Sequence, residues 1–380
     1  MKVKEKFMVL LMAIIMVAII MPITVCATVE TRAYVTNGDD NKVLVIDTVT
    51  DIIIDTILVE GRPAGIAVSP DGLRVYVSGG DGNIVSVINA ATNTVVAIIS
   101  VGLMPNDIAI SPDGSKVYVA NQGSDTISVI SATTNAVIDT ISIEGDIGAI
   151  VISPDGSKLY ITNNDGGKVS VINTVTNTEI TTITVGSYPD GIAITPDGSK
   201  VYVAKYNSTV SVIDTATNTL INTITVGGGG LLGITVTPDG SKIYGTNYEN
   251  NTVFVIDTAT DALTDTIALG FIPYDIAITP DGLKVYTANY GESGTVSVID
   301  TATNTVVATI TAGKYPKSIA IGQTIIDEEA EKEPEEELEK EAEKELDNEP
   351  KPGEVNYIVI ASVIAIISLA GIVTLKSKKA

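Results

Sequence analysis

A Pro-Asp-Gly triplet begins at Pro70, Pro112, Pro154, Pro196, Pro238 and Pro280, so every step is 42 residues. A fixed period of this size marks a repeat architecture, and each unit must bury its apolar face against its neighbours. One period holds "IAISPDG" (108–114), "SKVYVAN" (115–121), "DTISVISATTN" (125–135) and "AVIDTISIEG" (136–145). Each piece joins a short Val/Ile/Thr-rich run to turn residues, the pattern of a strand and its turn. Four short strands per 42 residues is the size of one propeller blade. No stretch between 28 and 326 has the 3.6-residue apolar period of a helical repeat.

The strand before Pro-Asp-Gly is apolar on both faces, as in Ile108-Ala109-Ile110, and a small residue recurs at its centre as Ala67, Ala109, Ala193, Ala277 and Ala320. Such a strand is covered on both sides. It is expected innermost, as strand a, followed outward by b ("KVYVAN"), c ("TVSVID") and d ("VVATI"). Proline presets the first angle of the a–b turn and glycine supplies the positive one.

Six triplets suggest six blades, but the ends supply a seventh. "RAYVTN" (32–37) aligns one period before "RVYVSG" (74–79) and starts a blade lacking strand a. "KSIAIG" (317–322) is a strand a with nothing after it. Joining the two closes the ring and removes the free edges of an open array. The one residue beyond seven periods falls in the b–c loop "NYGESG" (289–294). The expected fold is therefore all-β: a seven-bladed propeller of four-stranded blades.

Tyr34-Val35-Thr36-Asn37, together with "PDGSKVYVAN", "TVSVIDTATNTV" and "YPDGIAI", resembles the YVTN-family β-propeller repeat over nearly the whole of 28–322. The resemblance implies seven blades and a place among archaeal surface-layer and cell-surface proteins. It implies no chemistry, because propellers host many functions.

The flanks suggest how such a ring would be displayed. Residues 1–27 have a basic start, an apolar stretch and a Val25-Cys26-Ala27 end, as in a secretory signal cut before Thr28. Residues 28–326 form the expected propeller. Residues 327–356 are an acidic Glu/Lys-rich stalk, residues 357–375 are apolar and uncharged enough to span a bilayer, and 376–380 form a basic tail expected in the cytoplasm. The only cysteine, Cys26, lies in the signal, so the mature chain would have no disulfide and no thiolate.

The chain has no His and a formal net charge of −23. The missing histidine removes the usual general base and the commonest zinc and copper ligand. The charge disfavours nucleic acid, whose phosphates need a basic surface. No catalytic residue and no cofactor is expected. Gly227–Gly230 lacks the lysine and helix of a phosphate loop and is expected to be a flexible loop.

The a–b and c–d turns repeat "PDG" and "DTATNT" and are expected to be structural. The opposite face carries the variable d–a loops, and loops on a rigid scaffold usually carry function. Those loops bring Met104, Tyr188, Phe271, Tyr274 and Tyr315 to the channel mouth, with Asn106, Asp107, Asp190, Asp275 and Lys317 beside them. Asp107, Asp190 and Asp275 are a weak candidate set for a divalent ion, since carboxylate oxygens suit calcium or magnesium. Asn207 and Asn250 begin glycosylation sequons in adjacent b–c loops. Together these features suggest a non-enzymatic, membrane-anchored surface protein serving adhesion, recognition or envelope structure, with surface proteins or glycans as partners. The alternatives are a propeller enzyme using carboxylates and tyrosines, and a lattice-forming coat subunit with no ligand.

Overall fold

Twenty-eight strands, seven sheets and no helix make up residues 28–326, the part of the chain that the computed structural model describes. Each sheet has four antiparallel strands. Six follow chain order, and their inner strands are β4 (Pro63–Val68), β8 (Pro105–Ile110), β12 (Ile147–Ile152), β16 (Pro189–Ile194), β20 (Leu231–Val236) and β24 (Ile272–Ile278). The remaining sheet runs β28 (Pro316–Ile326), β1 (Thr28–Asn37), β2 (Lys42–Asp47) and β3 (Ile52–Leu58), joining both ends of the ring. We number this blade 1 and the others 2 to 7 along the chain.

The seven blades, the strand order and the closure by a C-terminal strand a are as expected. The closing zipper is longer than expected: β1 pairs with β28 from Thr28↔Ile326 to Asn37↔Pro316. The extra residue of blade 7 lies in its b–c connection, after β25 (Lys284–Tyr290). The expected signal, stalk, bilayer span and tail lie outside the described residues.

Strand b explains why the blades stack. Its third residue is always tyrosine, and Tyr34, Tyr76, Tyr118, Tyr160, Tyr202, Tyr244 and Tyr286 are all fully buried between sheets. Several hydroxyls reach the c–d turn of the next blade. Tyr202 donates to Asp261 Oδ1 at 2.7 Å, Tyr244 donates to Asn304 Oδ1 at 2.8 Å, and Tyr286 donates to Asp51 across the ring closure. The first residue of strand b, Lys or Arg, grips the same turn. Lys158 Nζ donates to Thr215 O at 2.6 Å and Lys284 Nζ to Asp51 Oδ2 at 2.8 Å. The gripped residues, including Asp51, Asn218, Asp261 and Asn304, have φ near +50°, a conformation that Asn and Asp tolerate. The "DTATNT" turns are thus structural, and so are the Pro-Asp-Gly turns. Asp113 Oδ1 accepts from Ser111 Oγ at 2.5 Å, Ser115 N at 3.0 Å and Ser115 Oγ at 2.8 Å, which holds its carboxyl down at about 2.

The outer edge of every sheet carries a bulge. Between strands c and d the register shifts once in blades 1 to 6, as at Val45/Ile46 and Val129/Ile130, and twice in blade 7, at Gly294/Thr295 and Val298/Ile299. A bulge twists an exposed edge away from flat pairing with another chain. It leaves aliphatic residues such as Ile54 and Ile138 exposed on the rim.

Candidate functional site

The inner strands set the geometry of the channel mouth through two consecutive positions. The first holds Ala64, Asn106, Gly148, Asp190, Leu232, Tyr274 and Lys317 in blades 2 to 7 and 1, and the second holds Gly65, Asp107, Ala149, Gly191, Gly233, Asp275 and Ser318. Successive strand residues point to opposite sides, so the two sets have different surroundings.

The second position faces the next inner strand, where small residues let the backbones approach. A Cβ on Gly65 would lie 2.3 Å from Asn106 O, and one on Gly191 would lie 2.0 Å from Leu232 O. A hydroxyl on strand b stitches this seam in blades 1, 2, 4 and 6. Thr162 Oγ1, for example, accepts from Ala149 N at 2.7 Å and donates to Asp190 O of the next blade at 2.9 Å. In blades 3 and 7 that strand-b residue is alanine, Ala120 or Ala288, and an aspartate does the stitching. Asp107 Oδ2 accepts from Ile150 N at 2.8 Å, and Asp275 Oδ2 accepts from Ile319 N at 3.0 Å and Ser318 Oγ at 2.7 Å.

The expected ion-binding trio is therefore corrected. Asp107 and Asp275 belong to the seam, and Asp190 belongs to the channel-facing position. Among the described residues no three acidic, cysteine or histidine side chains are close enough to hold a metal ion. The three still share one field. Burial first, and the neighbouring carboxylates after it, push Asp107 up to about 7 and Asp190 up to about 6, and burial raises Asp275. Backbone donors oppose the rise at Asp107 and Asp275, whereas the Asp190 carboxylate accepts no hydrogen bond among the described residues. Burial also lowers Lys317, and Arg62 adds to the effect.

Lys317 of blade 1 reaches over blade 2 to blade 3, where its Nζ donates to Asn106 Oδ1 at 3.0 Å. Blade 2 offers only Ala64 at this level, so nothing blocks the span. Lys317, Asn106, Met104, Tyr274 and Tyr315 line a cavity of 240 Å³, with Gln122, Arg62, Asp39, Asp81 and Tyr290 completing its polar and aromatic wall. One side is a cluster of tilted phenol rings. The centroids of Tyr274 and Tyr290 are 5.6 Å apart, those of Tyr290 and Tyr315 are 4.9 Å apart, and Tyr248 meets Tyr274 edge-on at 6.5 Å. An open depression of 810 Å³ adjoins it, lined by Arg62, Lys314, Glu292 and Tyr315 among others.

The structure thus brings Met104, Asn106, Tyr274, Tyr315 and Lys317 together, as the d–a loops suggested. Tyr188 and Phe271 are exposed but do not line this cavity. Tyr248, Tyr290 and Arg62 were not singled out from the sequence. The first two follow the closing Asn of strand b, Asn247 and Asn289, where a comparison of b–c loops would have found them. Arg62, Met104, Tyr188 and Tyr315 each precede a proline and have φ of 49° to 56°. Large residues seldom adopt that region, and such strain tends to gather at functional surfaces.

Gly227–Gly230, expected to be a loop, carries two backbone hydrogen bonds to the neighbouring b–c connection. All four glycines have positive φ, Gly227 N bonds to Ser208 O at 3.3 Å, and Gly230 N bonds to Tyr206 O at 2.8 Å. Asn207 and Asn250 are exposed, as modified asparagines must be.

Comparison with known proteins gives the same fold. The family described as Lactonase, 7-bladed beta-propeller matches residues 27–138, less than half of the chain. No curated protein matches it. Among solved structures, the hydrazine synthase of Kuenenia stuttgartiensis is similar at 24% identity with a TM-score of 0.63, over 70% of this chain and 96% of that one. A protein of unknown function from Desulfotomaculum acetoxidans is similar at 20% identity with a TM-score of 0.69, over 76% and 98%. The dihydro-heme d1 dehydrogenase NirN, in complex with DHE, is similar at 16% identity with a TM-score of 0.59, over 76% and 74%. At these identities the likeness extends to the propeller fold alone.

Proposed function

We propose that this chain is a recognition propeller of the YVTN type, displayed on the outside of a cell and binding through the face that carries the b–c and d–a loops. The observation that carries this reading is the cavity at the channel mouth, where three clustered tyrosines, Met104, Asn106 and Lys317 converge from separate blades. Concave sites with an aromatic wall and a few convergent polar groups are the usual form of a ligand pocket. The apolar 357–375 stretch would anchor the chain, and the acidic 327–356 segment would hold the ring away from the bilayer. The partners are surface proteins or glycans.

The partial likeness to Lactonase propellers favours one competing reading, hydrolysis of a lactone, with Asp190 as the base. Its carboxylate accepts no side-chain hydrogen bond among the described residues and is poised at about 6, a range suited to general-base work. The test is residues 28–326 applied to glycan and surface-protein arrays, with a lactone panel and particle sizing run in parallel. Saturable capture by a monomer supports recognition. Lactone turnover lost in Asp190→Asn supports the enzyme, and ordered self-assembly without capture supports a coat subunit.

A further inference from the structure

Lys317 is a half-buried cation with no carboxylate within ion-pair distance among the described residues. Its bond to Asn106 occupies one of three ammonium donors and leaves two for another acceptor. The neighbouring cations are already paired: Arg62 Nη2 lies 3.1 Å from Asp39 Oδ1, and Lys42 Nζ lies 3.0 Å from Asp40 Oδ2. Of the two cations that line the cavity, Arg62 and Lys317, Lys317 is thus the one without a matched charge among the described residues.

The rest of the cavity limits what that charge belongs to. Its 240 Å³ falls below the ~300–1,000 Å³ that holds a drug-sized molecule, so it takes about one ring. The tilted tyrosine rings offer apolar surface with polar edges. Asn106, Gln122 and Asp81 offer both donors and acceptors around it. That density of hydrogen-bonding groups suits a hydroxylated ring better than an aromatic one. A chain with a formal charge of −23 does not gather polyanions through its overall field, so an acidic ligand must be recognised locally.

We infer that the cavity is a subsite for a carboxylated pyranose, a uronic acid unit of an acidic polysaccharide, with its ring against the tyrosine wall and its carboxylate on Lys317. This rests on the recognition reading above and adds the ligand class. The test is calorimetric titration of the purified full chain with a galacturonic acid trimer and with the matching neutral galactose trimer. The wild-type chain binds the acidic trimer about tenfold or more tighter, the scale of one charge-assisted hydrogen bond. Lys317→Met abolishes the preference by lowering the affinity for the acidic trimer, Lys317→Arg retains it, and Tyr290→Ala weakens both. A melting curve for each variant separates lost binding from lost fold, and Lys317→Gln serves if Lys317→Met does not fold. Equal affinity for the two trimers, binding of neither, or a preference that survives Lys317→Met and Lys317→Gln overturns the assignment. Neutral binding alone, or a protein partner on the array, overturns the acid subsite and leaves recognition standing. Capture of nothing on the arrays overturns both.

Discussion

Asp107 in the seam and Asp190 at the channel-facing position are both buried, and between about pH 4 and 7 their titration gives the fold a pH dependence of one sign. An unfolded aspartate titrates at about 3.9. In the folded chain Asp107 is pushed up to about 7 and Asp190 up to about 6, so between about 4 and 7 the folded state holds the extra protons. Stability is then greatest at the acid end of that window and falls as the pH rises through about 7. Below it, Asp113, Asp155 and Asp239, all held at about 2, act in the opposite sense and destabilise the fold on protonation. Urea midpoints measured from pH 5 to pH 8 should decline, and Asp190→Asn should flatten part of the slope. A midpoint constant or rising across that range contradicts the burial of these groups. The buried tyrosines give a second test. Tyr202 bonds a carboxylate, whereas the buried Tyr160 hydroxyl has no partner among the described residues. Tyr202→Phe should cost about 1.5–3 kcal/mol in urea unfolding and Tyr160→Phe should cost about nothing; equal costs would show that the inter-blade bond to Asp261 is not made.

At the scale of strands, the period and its two incomplete ends together carry the blade count, the strand order and the closure, because a repeated unit has few ways to bury its apolar faces. The seam was less legible. Asp107 and Asp190 differ by one step along strand a, and one step in a strand moves a side chain to the other face. The signal was present in the pairing of Asp107 with Ala120 and of Asp275 with Ala288, where blades 1, 2, 4 and 6 pair a small residue with Ser or Thr and blade 5 pairs Gly191 with Ala204, but its meaning depends on knowing which strand faces which. The reach of Lys317 to Asn106 was illegible for a similar reason, since it needs the small Ala64 between them. The closing strand makes the element-scale prediction. β28 is 11 residues long and supplies the only inner strand of blade 1, and Asp275 ties it to blade 7. Deleting 318–326 removes most of it and bares the edge of β1. The truncated chain should melt without cooperativity and self-associate on sizing, as an uncovered edge invites. A truncation that melts like the intact chain and stays monomeric contradicts the closure.

For the whole molecule, closing the ring fixes two unlike faces. One repeats the same Pro-Asp-Gly and Thr-rich turns, whose polar groups are spent on one another. The other varies from blade to blade and gathers the tyrosine cluster, Lys317 and the strained residues before proline. Only the varied face offers a surface that a ligand can tell from its symmetry mates, which is the physical basis for placing recognition there. The most direct measurement compares capture on glycan and protein arrays by residues 28–326 and by two variants. One carries Tyr274→Ala, Tyr290→Ala and Tyr315→Ala, and the other carries Val175→Ala, a residue 83% exposed in a turn of the opposite face. The account predicts that the tyrosine variant loses at least tenfold in affinity while still melting as a folded ring, and that Val175→Ala binds as the wild type does. Undiminished capture by a folded tyrosine variant would contradict it.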